Sequence, residues 1–128
     1  VAENVPRIRR TPLPDDALLV VRGDELHERI LRTDATRFHR RFAAWNRYGV
    51  SALVARDDTE VASFCETRLD RFPTVIVYRR HDLEVLGVEV VPTFRTPHIT
   101  LARPDLDSLV NALLTCEHRR VRNPYFDE

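Results

Sequence analysis

The run Ala17-Leu18-Leu19-Val20-Val21-Arg22-Gly23 places a guanidinium at the end of a stretch of core-type residues. Such a cation either marks the point where a strand reaches water or is delivered to a working site. Arginine suits the second task, because its planar fork of donors grips carboxylates and phosphates in a bidentate way that an ammonium cannot reproduce. All 20 basic residues are Arg and none is Lys. This excludes a Schiff-base lysine and the lysine of a phosphate-binding P-loop, and it points to a genome of high GC content. Other signatures are missing. The five His residues show neither HExxH spacing nor a tight His/Cys/Asp cluster, so no metal site is read. Gly49-Val50-Ser51-Ala52 lacks the second glycine of a nucleophile elbow. Cys65 and Cys116 lack CxxC spacing and read as small buried hydrophobes of a reducing compartment.

His98-Ile99-Thr100 resembles the H-x-T element of the two-histidine phosphoesterases, where two such elements face each other as base and acid. The residues two positions after the other histidines are Arg29, Arg41, Leu83 and Arg120, so the second element is missing. His98 therefore reads as a strand-opening histidine bonded to a neighbour.

The elements that must position these residues follow from hydrophobic period and punctuation. Strands are expected at Ala17–Arg22, Val50–Ala55, Thr74–Tyr78, Val88–Val91 and His98–Ala102. A helix, in one or two pieces with a break near Thr33-Asp34, is expected from about Glu25 to Trp45, and others over 59–71 and 104–116. His81–Leu86 reads as a short helical turn closed by Gly87. The expectation is an α+β fold, a single compact domain of about five strands in a mixed sheet with three main helices. Residues 1–14 read as an extended arginine- and proline-rich arm, 15–117 as the domain and 118–128 as a polar C-terminal tail. The formal net charge is zero, which gives no global field toward nucleic acid or anionic lipid. No apolar run approaches the roughly 18 residues that span a bilayer, and no signal-peptide pattern opens the chain, so a cytoplasmic protein with no membrane partner is expected.

An arginine closing a buried first strand, a helix, then Tyr48-Gly49-Val50-Ser51-Ala52, a helix and a β-branched strand form a particular order. This order resembles the ADP-ribosyltransferase-like fold of small bacterial toxins, over about residues 15–102 at the level of element order. The resemblance implies NAD as substrate. Arg22 would contact it, Ser51 would match the family's G-x-S/T strand start, and Tyr48 would complete the binding side. Glu84 and Glu89 are the candidates for the catalytic glutamate, neither in a Glu-x-Glu or Gln-x-Glu pattern. In that chemistry the guanidinium holds the pyrophosphate, the serine holds the nicotinamide ribose, and the glutamate bonds the ribose 2′-hydroxyl and stabilises the oxocarbenium-like charge. The resemblance also implies the toxin of a toxin–antitoxin pair, with an antitoxin as partner and a protein or RNA as target.

The same residues have structural alternatives. Arg22 can cap its strand and pair with Asp24 or Glu25, Ser51 can be a small sheet residue, and Glu89 can point outward. A second functional reading is a non-catalytic interaction module or RNA-contacting protein. Its arginine-rich helical face would use Arg37, Arg40, Arg41 and Arg47 beside the stacking rings of Trp45 and Tyr48.

Overall fold

The computed structural model describes residues 4–126. The chain runs β1 (Leu19–Gly23), α1 (Glu28–Arg41), a 3-10 turn (Ala43–Trp45), β2 (Tyr48–Ala55), α2 (Asp58–Thr67), β3 (Thr74–Arg79), α3 (Arg80–Val85), β4 (Glu89–Val91), β5 (His98–Arg103), α4 (Leu106–Thr115) and β6 (His118–Arg122). The strands form one sheet in the order β4-β5-β2-β1-β3-β6, and every neighbouring pair is antiparallel. An α+β domain is thus found, with six strands instead of about five and an antiparallel sheet instead of a mixed one.

The extra strand comes from the segment read as a polar tail. His-Arg-Arg-Val-Arg has no apolar alternation to announce a strand. It pairs along β3 from Tyr78↔His118 to Thr74↔Arg122 and lies at the sheet's edge, where Val121 packs against the core and the His118 ring centroid lies 5.5 Å from that of Tyr78. Arginines on an exposed edge also discourage pairing with another chain. Helix α1 runs unbroken through Thr33-Asp34, with the Thr33 hydroxyl donating back to the Arg29 carbonyl (2.9 Å) within it.

Two layers of helix sandwich the sheet. Val20, Val50, Ala52, Ile76 and Tyr78 face one way and pack with Leu31 and Ala35 of α1, Leu83 of α3 and Leu109 and Leu113 of α4. Val21, Leu53, Val75 and Val77 face the other way and pack with Val61 and Cys65 of α2. This is the alternation that a strand buried on both faces requires. Tyr78 ties the first layer together, its buried hydroxyl donating to the Leu113 carbonyl at 2.7 Å. Asp57 and Asp105 cap α2 and α4 by accepting from the backbone N–H of Glu60 and Ser108. Among the described residues no helix is long and apolar enough to cross a membrane.

The proline-rich arm is held against the body. Ile8 bridges Thr93, and the Arg9 guanidinium donates to the carbonyls of Thr93 (2.8 Å) and His98 (2.7 Å). Its first three residues lie outside the described ones.

Gly49 is fixed by close packing. A Cβ there would meet the Thr100 methyl at 2.6 Å and the Phe38 ring at 3.0 Å. Gly49→Ala is expected to lower the unfolding free energy by about 1–3 kcal/mol through overpacking, measured as a lower urea midpoint. An unchanged midpoint would contradict this packing.

Candidate functional site

The sheet forks at its centre. Pairing of β1 with β2 runs from Leu19↔Ala55 to Val21↔Leu53 and stops there. Beyond that point β1 continues along β3 to Gly23↔Val75, while β2 continues along β5 from Leu53↔His98 to Tyr48↔Arg103. Between the prongs lies a cavity of about 520 Å³, within the usual range for small-molecule sites. The ends of β1 and β2, the C-terminal half of α1, the turn after α2 and the β4–β5 connection all line it.

Arg22 stands on one prong and Ser51 on the other, and both line the cavity. The pleat sends them to opposite faces of the sheet. Arg22 shares the parity of Val20, on the α1 side, and Ser51 that of Leu53, on the α2 side. They meet at one site because the cavity draws its lining from both faces where the strands part.

Arg22 is only 7% exposed. Its Nε and Nη1 are enclosed and have no hydrogen-bond partner, and no carboxylate among the described residues lies within ion-pair distance of it. The expected pairing with Asp24 does not form, because Asp24 is taken by Arg120 from β6. Glu25 and Asp34 line the same cavity and lend partial compensation from a distance. Burial pushes the guanidinium pKa down, against the pull of these carboxylates, yet an arginine remains charged in proteins. A buried cation without a partner among the described residues is costly, and here it belongs to a residue that lines a hollow of ligand size.

The remaining lining is cationic and aromatic. Arg37, Arg41, Arg68 and Arg71 join Arg22, so five guanidiniums face the two carboxylates of Glu25 and Asp34. Four phenylalanine rings stand among them. Arg41 lies over Phe42 (4.9 Å to the ring centroid) and Arg71 over Phe72 (5.0 Å). A Cβ on Gly23 would meet the Phe72 ring at 2.5 Å, so glycine after the cation is what lets that ring close over the end of β1. Phe94 holds φ at 59° in the left-handed region, uncommon outside glycine. Its N–H donates to the Arg7 carbonyl (2.8 Å), and its ring lies between Phe42 and His98. Asn123, in the segment read as a tail, braces the far wall. Its buried amide donates to the carbonyls of Cys65, Leu69 and Phe72.

The other expected site residues lie elsewhere. Glu89 sits on β4, three strands from β1, about 14 Å at the usual strand spacing, and pairs with Arg47 at 2.8 Å. Glu84 sits on α3, which follows Arg79, the partner of Leu19 at the end of β1 remote from Arg22. It pairs with Arg80 at 3.5 Å. Neither lines the cavity, so the catalytic role expected of them has no geometry to act through there. Tyr48 stacks on His39 (4.3 Å between centroids) and does not line the cavity either. The sequence reading missed this role for the phenylalanines, Arg68 and Arg71, and it took His98 for a strand-opening histidine bonded to a neighbour, which the Thr93 contact matches. For Phe38, Phe42, Phe72 and Arg71 the signal was the repeated Arg-Phe dipeptide at 37–38, 41–42 and 71–72. No group of His, Cys, Asp and Glu among the described residues could hold a metal ion.

Guanidiniums around aromatic faces suit a ligand that carries both anionic charge and a flat ring. A residue kept for a ligand at the expense of the fold makes a direct prediction. Arg22→Met replaces the buried cation with an apolar chain of similar reach and is expected to raise stability by about 1–4 kcal/mol, read as a higher urea midpoint at unchanged slope. A lower midpoint would make the guanidinium a structural member. Compared with known proteins, the chain matches no family model, no curated protein and no solved structure.

Proposed function

We propose that this protein binds a nucleotide of the NAD type in the fork of its sheet, with the diphosphate on Arg22 and a planar ring against the phenylalanines. The observation that carries the reading is the enclosed guanidinium, unpaired and bordering a cavity of ligand size. A diphosphate in the cavity supplies the counter-charge that the Arg22 guanidinium lacks among the described residues, and Arg37, Arg41, Arg68 and Arg71 add an attractive field around it. Ser51, on the opposite prong, offers a hydroxyl to the sugar.

The family resemblance carried by Arg22 and Ser51 extends the proposal to ADP-ribosyl transfer by a toxin held in check by an antitoxin. In that chemistry a carboxylate must reach the ribose that loses nicotinamide. Glu25 takes this role in the proposal, since it lines the cavity that Glu84 and Glu89 do not reach. Water, a protein side chain or an RNA group would accept the ADP-ribosyl unit.

The alternative of an RNA-binding helical face has less to stand on. Trp45 packs edge-on against Phe38 (5.8 Å) and Tyr48 stacks on His39, so both proposed stacking rings have neighbours within the chain. Arg37 and Arg41 belong to the cavity.

Calorimetry with NAD and with ADP-ribose tests the binding claim. Wild type is expected to bind both with an affinity that falls as salt rises, and Arg22→Met to lose about 30-fold or more, the usual cost of removing one partner of a buried charge contact. Glu84→Gln and Glu89→Gln are expected to bind within about twofold of wild type, as exposed ion pairs allow. The absence of heat with either ligand at millimolar concentration would remove the proposal. Equal binding by Arg22→Met would remove Arg22 from it.

A further inference from the structure

The cavity holds a polar group that the binding of an anion does not use. His98 opens β5 on the same face of the sheet as Ser51, from which it is a diagonal neighbour, about 7–8 Å away by strand geometry. Its ring is fixed on one side. Nδ1 lies 2.9 Å from the Thr93 hydroxyl and 3.3 Å from the Thr93 carbonyl, and the Thr93 hydroxyl meets that of Thr100 at 2.7 Å. Thr93 and Thr100 are fully buried, and Arg9 fastens the carbonyls of Thr93 and His98 from the outside. Of the two tautomers, the one protonated at Nδ1 satisfies the Thr93 carbonyl, which can only accept, and it leaves Nε2 as a bare lone pair.

That lone pair is out of place in a simple anion site. The cations that line the cavity, Arg68 and Arg71 among them, only donate, and an anion needs nothing more. A lone pair that an anion leaves unused suits a ligand that has a donor of its own beside its negative charge. We propose that His98, as a neutral imidazole, accepts a hydrogen bond from a sugar hydroxyl of the ligand, so that the fork selects ribonucleotides over nucleotides whose ribose lacks hydroxyls. The inference rests on the nucleotide reading above and narrows it to the sugar.

The surroundings keep the ring neutral. Burial lowers the pKa of His98, and the charges of Arg9 from the arm and Arg68 from the turn after α2 lower it further, outweighing the opposing bond from Thr93. Arg95, whose carbonyl accepts the His98 N–H, is a third cation near in sequence. Glu25 and Asp34 are the cavity's carboxylates, and both come from the β1–α1 side.

The test compares ADP with its 2′,3′-dideoxy analogue, which keeps the base and the diphosphate and lacks both hydroxyls. Wild type is expected to prefer ADP by about tenfold near pH 7.5, because a buried acceptor left without its donor penalises the analogue. The preference is expected to fall away as pH drops below the ordinary imidazole range, since protonation removes the lone pair. Both nucleotides carry the same titrating diphosphate, so the ratio isolates the sugar. His98→Leu is expected to hold the two within about twofold at every pH, and His98→Gln, which places an amide oxygen near the position of Nε2, to restore part of the preference. The pH series on wild type needs no variant to fold. Equal affinity of wild type for ADP and the analogue, a preference that survives at acid pH, or one that persists in His98→Leu would overturn this inference and leave nucleotide binding intact. Failure of wild type to bind either nucleotide would overturn both.

Discussion

An arginine can be buried in a folded chain only if something answers its charge and its donors, because the cost of leaving them unanswered rivals the stability of a whole domain. At Arg22 the described residues do not provide the answer. Asp24, the nearest carboxylate in sequence, is spent on Arg120, and Glu25 and Asp34 remain beyond ion-pair distance. Much of the architecture around Arg22 serves to keep this arrangement. Two prongs of sheet part at Val21↔Leu53, a glycine on each prong admits a phenylalanine ring, and the hollow between them stays open to a ligand.

The rest of the molecule acts as bracing. Tyr78 locks β3 to α4 on one side of the sheet. On the other side, Asn123 gathers three carbonyls at the end of α2 and in the turn that carries Arg68 and Arg71. The arm reaches across to hold the segment bearing Phe94 and His98. The three braces come from distant parts of the sequence and converge on the walls of one cavity. A site held on rigid elements from several directions keeps its geometry before the ligand arrives, which lowers the cost of binding.

The sequence made the central strands legible because β1, β2, β3 and β5 are buried on both faces and carry the β-branched and apolar runs that such burial demands. It also made Arg22 legible, since a cation closing such a run is conspicuous. β6 stayed hidden because an edge strand needs only a free neighbouring edge, and His118–Arg122 carries charge where a central strand carries valine. Strand direction stayed hidden as well. Hydrophobic alternation carries no direction, so a mixed sheet was expected where the register pairs every strand with an antiparallel neighbour. Glu84 and Glu89 were chosen by their order along the chain, and order does not report that β4 sits at the sheet's rim while β1 sits near its middle. Ser51 reached the site by the same kind of reasoning, because the fork opens where it stands.

The central claim is that the buried guanidinium waits for an anion from outside the chain. A crystal structure of the protein grown with ADP tests this most directly. The account predicts diphosphate oxygens at about 2.7–2.9 Å from the Arg22 guanidinium, with the sheet still parted between Arg22 and Ser51. Density placing Arg22 in an internal ion pair with Glu25 or Asp34, with the prongs closed and the nucleotide absent or bound elsewhere, would contradict it.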